Sequence, residues 1–102
     1  MLDRTPRLAC VPFGYPDYPR DELERWIAAS IEALRGMGLE VLAIPPVVIS
    51  SDVDAAVQAL RAGDYDAIVA LLVSWVEAPL LVSTLRPVRS RPLILWSHTT
   101  YM

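Results

Sequence analysis

The stretch Asp64–Pro79, DYDAIVALLVSWVEAP, decides the fold. Its apolar run from Ala67 to Val73 has acidic residues before it and Pro79 after it. A short run of this kind, with no polar alternation, describes a strand buried on both faces, as at the centre of a parallel sheet. The run then breaks into Ser74, Trp75 and Glu77. Open α/β sheets bind ligands outside the carboxyl ends of their strands, so the break marks where a site is expected.

Working outward, Arg7–Phe13 (RLACVPF) is a second apolar run and reads as strand one, with Pro12 better placed at its end than inside it. From Arg20, Leu23, Trp26, Ile27, Ser30, Ile31 and Leu34 recur at the spacing of a helix lying on a sheet. Pro19 opens this helix and the Gly36/Gly38 pair closes it. Leu39–Ile44 is strand two, stopped by Pro45 and Pro46. Ser51 and the acidic residues after it open a second helix, with Val53, Ala56, Val57 and Leu60 buried and Gly63 as a left-handed cap. Beyond the central strand, Pro79 suits a first helical turn, and Leu80, Leu81, Thr84 and Leu85 form a short third helix that Pro87 ends. Pro92–Trp96 (PLILW) is strand four.

The element order is β-α-β-α-β-α-β. With right-handed crossovers it predicts a three-layer α/β domain, a flavodoxin-like doubly wound parallel sheet in strand order 2-1-3-4, spanning 1–102. The switch point falls between strands one and three.

Composition narrows the function classes. At 102 residues, 54% of them hydrophobic, the chain suits one domain with one core. Nine basic against twelve acidic residues give a net charge of −3, which argues against a nucleic-acid partner drawn by charge. The lone Cys10 cannot form an internal disulfide, and the amino terminus lacks the apolar core of a signal peptide, so a cytoplasmic location is expected. Seven apolar residues are far short of the roughly 20 that a membrane-spanning helix needs, so no membrane is expected either.

Four loops converge at the carboxyl edge: Gly14–Pro19, Pro45–Ser51, Ser74–Pro79 and Ser97–Met102. Their candidate binding residues are Tyr15, Asp17, Trp75, Glu77 and His98. Trp75 offers an aromatic platform for the apolar face of a sugar or nucleobase, or else caps the core. Asp17, Glu77 and His98 are the ingredients of a metal site or an acid/base pair, yet no two share the short spacing of a ligand motif. Glu77 also fits as a first-turn acid that complements a helix dipole, and His98 as a solvated terminal residue. Ser74 lacks a G-x-S-x-G elbow and Cys10 sits inside a strand, so neither reads as a nucleophile. One glycine and two prolines in Gly14–Pro19 cannot present the free amides of a phosphate cradle, so a flavin or dinucleotide is not expected.

Several phrases carry a family resemblance: FGYPDYP (13–19), LRGMGLEV (34–41), LRAGDYDAIVAL (60–71), VSWVEAP (73–79), the Thr84-Leu85-Arg86-Pro87 turn and PLILWSHTT (92–100). Together the chain resembles the amino-terminal domain of the L-fucose isomerase and L-arabinose isomerase-like sugar isomerases. The resemblance implies a flavodoxin-like domain that helps close a neighbouring subunit's sugar pocket. Trp75 resembles the family's substrate-facing aromatic, and the loop around Tyr15 and Asp17 its other contributor. The family's divalent metal, manganese, and its acid/base residues belong to later domains, so this chain by itself is expected to hold no cofactor and to be inactive as an isomerase.

Strand four sharpens the expectation of a partner. It is as apolar as a buried strand, and the six residues after it cannot form another crossover, which takes roughly ten to twelve residues. An exposed apolar edge is normally covered, paired or charged. Strand four is therefore expected to meet a second copy in a homo-oligomer, or a catalytic chain or continuation. The leading expectation is a substrate-closing and assembly module of an aldose-ketose isomerase, and the alternative is a structural or regulatory oligomeric module with no small ligand.

Overall fold

The computed structural model describes residues 5–97. Its four strands are β1 (Arg7–Phe13), β2 (Glu40–Ala43), β3 (Ala67–Leu72) and β4 (Leu93–Ser97). The helices are α1 (Arg20–Gly36), α2 (Val53–Ala62) and α3 (Ala78–Leu85), with single 3-10 turns at Ser50–Asp52 and Arg86–Val88. Every strand pair is parallel and the order is β2-β1-β3-β4, the flavodoxin-like arrangement expected.

Alternation along the strands divides the core into two faces. Ala9, Val11 and Phe13 of β1 and Ile68 and Ala70 of β3 pack with Ala56 and Leu60 of α2 and Leu80 of α3. Cys10 and Leu71, with Val73 just beyond β3, pack on the other face with Leu23 of α1, while Leu8 and Val69 meet Leu34. The central strands are thus covered on both sides. A charged latch fixes their amino ends: the Arg7 N–H donates to Asp66 Oδ2 at 2.8 Å and the Asp66 N–H to the Arg7 carbonyl at 2.8 Å.

Several expectations need correction. Pro12 is the penultimate residue of β1, not its end. Alternate residues of a strand donate to the same side, and the Gly14 N–H donates toward Val47 on the β2 side. The donor that Pro12 lacks would therefore point beyond Ala43, where β2 has already finished. Strand two is shorter than Leu39–Ile44, because Leu39 is held by the turn that ends α1. That turn uses Gly38 (φ +87°), whereas Gly63 has an extended φ of −80° and is no left-handed cap. Gly63 serves close packing instead, since a Cβ there would lie 2.5 Å from Leu42 Cδ2.

Side-chain roles shift in the same way. Ser51 does not cap α2; Asp52 Oδ2 turns back to accept the N–H groups of Val48 and Ile49 at 2.9 and 3.0 Å. Trp26 is 38% exposed at the rim of α1, and Ser30 is buried, its hydroxyl donating to the Trp26 carbonyl at 2.7 Å. Pro87 ends α3 as an α-helix, but the chain continues through a 3-10 turn that buries Val88. Strand four runs one residue later than expected at both ends. It is also the poorly covered strand, with Leu93, Ile94 and Leu95 at 47, 49 and 59% exposure.

Candidate functional site

Backbone bonds tie three of the four carboxyl-edge loops together. The Val47 N–H donates to the Pro12 carbonyl at 2.9 Å, the Gly14 N–H to the Val47 carbonyl at 3.2 Å, and the Val73 N–H to the Phe13 carbonyl at 3.1 Å. The loops after β1 and β3 are joined once more by a side chain: the Tyr15 N–H donates to Ser74 Oγ at 3.1 Å. Gly14, beside Tyr15, packs close to α1, since a Cβ there would lie 3.0 Å from Leu23 Cδ1. Ser74 is thus a strut between two loops.

The candidate residues among those described lie on these two loops. Tyr15 is half-buried, Asp17 and Glu77 are exposed, and Trp75 is 75% exposed at the rim. An indole that open to water does not cap the core. Glu77 sits one position before the first turn of α3 rather than in it. Its carbonyl accepts the Leu80 N–H at 3.1 Å, while its carboxylate makes no capping bond. His98 lies outside the described residues. No hydrogen bond or ion pair joins the side chains of Tyr15, Asp17, Trp75 and Glu77 to one another among the described residues.

Among the described residues no three His, Cys, Asp or Glu side chains gather as a metal would require. Cys10 is fully buried in β1, and desolvation pushes its thiol up to about 11, so it presents no thiolate nucleophile near neutral pH. A helix long and apolar enough to cross a membrane is absent among the described residues.

A second feature escaped the sequence reading. On the sheet face that carries α2 and α3, a groove of about 320 Å3 opens between α3 and β4. Ile68, Leu85, Val88 and Leu93 line it, and Val82 forms part of its wall. Arg86, Arg89 and Arg91 stand around it. Arg91 is engaged: its guanidinium lies 4.6 Å from the centre of the Tyr65 ring and donates to the Tyr65 carbonyl at 3.4 Å. The Tyr65 hydroxyl donates to the Leu60 carbonyl at 2.7 Å, and burial raises its pKa while Arg91 opposes the rise. Arg86 and Arg89 have no carboxylate partner among the described residues. The signal was present in the sequence, because residues 78–97 hold three arginines and no acid.

Comparison with protein-family models, with curated proteins and with solved structures found no match.

Proposed function

We propose that the chain is a binding and assembly module of the kind that forms the amino-terminal domain of aldose-ketose sugar isomerases. Its β4 side recruits further protein, and its carboxyl edge lends Trp75, with Tyr15 and Asp17 beside it, to a sugar pocket completed elsewhere. The observation that carries the assembly role is β4, a parallel strand of four apolar residues and a serine that has apolar side chains open to water on both faces. Moving a half-exposed leucine or isoleucine out of water is worth about 1 kcal/mol, and three of them lie in a row.

A two-fold pairing of β4 with the β4 of a second copy would satisfy the free edge amides and carbonyls and extend the sheet. Ile94 and Trp96, which share the α1 face, would then meet the same pair of residues of the second copy. For the carboxyl edge, the supporting geometry is the exposed indole on a loop that Ser74 bonds to the loop after β1. Aromatic platforms of this sort stack on the apolar faces of sugars at modest entropic cost.

Light scattering over a concentration series tests the assembly role. The chain is expected to approach the mass of a dimer as concentration rises, and Ile94→Lys to remain a monomer. A wild-type chain that stays monomeric at high micromolar concentration would overturn the reading.

A further inference from the structure

We propose that the groove between α3 and β4 is a docking site for an amphipathic helix that carries carboxylates along the flanks of its apolar stripe. This site lies on the sheet face that carries α2 and α3; it shares Leu93 with β4 but lies on the opposite face from the α1 side argued above for self-association.

The chemistry of the groove is two-part. Its floor and wall are apolar, formed by Ile68, Leu85, Val88 and Leu93 with Val82. Its rim is cationic, and Arg86 and Arg89, which have no carboxylate partner among the described residues, stand on it. The charge is segregated along the whole chain. Residues 78–97 carry three arginines and no acid, while the remainder holds all twelve acidic residues and six basic ones. The carboxyl end of α3 accounts for one arginine through its dipole; it does not account for three with no acid among twenty residues.

The shape and charge select the occupant. A helix is the element that covers a parallel sheet beside another helix, at about 8–10 Å between axes. Leucine or isoleucine at helical spacing would fill the floor, and glutamates flanking them would meet the guanidiniums of Arg86 and Arg89. A second copy related by a two-fold axis through this face would set Arg86 and Arg89 against themselves, which like-charge repulsion disfavours. An anionic bilayer suits it less, because the surface is a groove and the rest of the chain carries an excess of six acids.

The test is titration of the 102-residue chain against fluorescent helical peptides of one apolar stripe, flanked by glutamate in one and by lysine in the other. The glutamate peptide should bind saturably and more weakly as salt is raised, and the lysine peptide should not bind. Arg86→Glu with Arg89→Glu should weaken the glutamate peptide about tenfold, as reversal of two exposed pairs predicts, and admit the lysine peptide. Val82→Asp, at a position more than half exposed, should abolish both interactions without unfolding the chain. Equal affinity for the two peptides, binding of neither, or binding only to phosphatidylglycerol vesicles would each overturn the proposal. Light scattering on the same samples separates the two readings. A dimer that binds no peptide removes the groove alone, and a monomer that binds it removes self-association alone.

Discussion

The two edges of this sheet are built differently, although one helix-strand chain makes both. At the β2 edge, Leu42 packs into the α2 side of the core and Val41 into the α1 side, so helices lie over both faces. Its outward residue Glu40 pairs with Arg7 at 3.0 Å, and the strand is only four residues long. These are the devices that discourage edge-to-edge pairing. The β4 edge carries Leu93, Ile94, Leu95 and Trp96 with no charge among them, and three of the four stand about half exposed. The difference teaches that apolar content does not secure burial. What secures it is whether helices lie over both faces of the strand.

The sharpest way to break that comparison is truncation at matched residues. Leu71→Ala, on the fully buried β3, should cost about 2–5 kcal/mol in urea denaturation, whereas Leu95→Ala on β4 should fall within about 0.5 kcal/mol of the parent. If Leu95→Ala costs as much as Leu71→Ala at high protein concentration and little on dilution, then association buries β4.

A second contrast comes from pH. Cys10 lies at the last β1–β2 pairing, opposite Ala43, with its thiol pushed up to about 11 from 9.0 by burial. The folded state therefore favours the neutral thiol. Its contribution is complete below pH 9 and is lost as pH rises toward 11, a fall of roughly 2–3 kcal/mol. Cys10→Ala should remove that slope in denaturation curves taken across the window. A slope unchanged in the variant would mean that another group titrates there.

Gly63→Ala tests how tightly the β2 edge is covered. Its new methyl would sit 2.5 Å from Leu42 Cδ2, so Leu42 must move, at an expected cost of about 1–3 kcal/mol. A neutral substitution would show the α2 covering of β2 to be loose, and would weaken the contrast between the edges. The smallest effect belongs to Glu40→Ala, because both partners of the Arg7 pair are about half exposed. Stability should change by less than about 0.5 kcal/mol and become insensitive to salt. What should change is association: with β4 blocked by Ile94→Lys, adding Glu40→Ala should raise the mass read by light scattering above that of Ile94→Lys alone.

The sequence by itself determined the architecture. The unbroken Ala67–Val73 run, the helical stripe through Leu23 and Leu34, and the Pro and Gly stops pointed to strand number, helix number and the 2-1-3-4 order, because periodicity and crossover handedness are local or nearly local properties. Trp75 was legible at the carboxyl edge for the same reason, as the first large residue past a buried run. Tertiary structure alone decided the rest. That Gly63 faces Leu42, that Ser74 receives the Tyr15 amide, that Asp52 turns back to Val48, and that Arg86 and Arg89 border an open groove all depend on residues far apart in the chain or on which face a helix presents. Such contacts leave no period in the sequence, since each is fixed by where two elements meet and not by the order of residues within either.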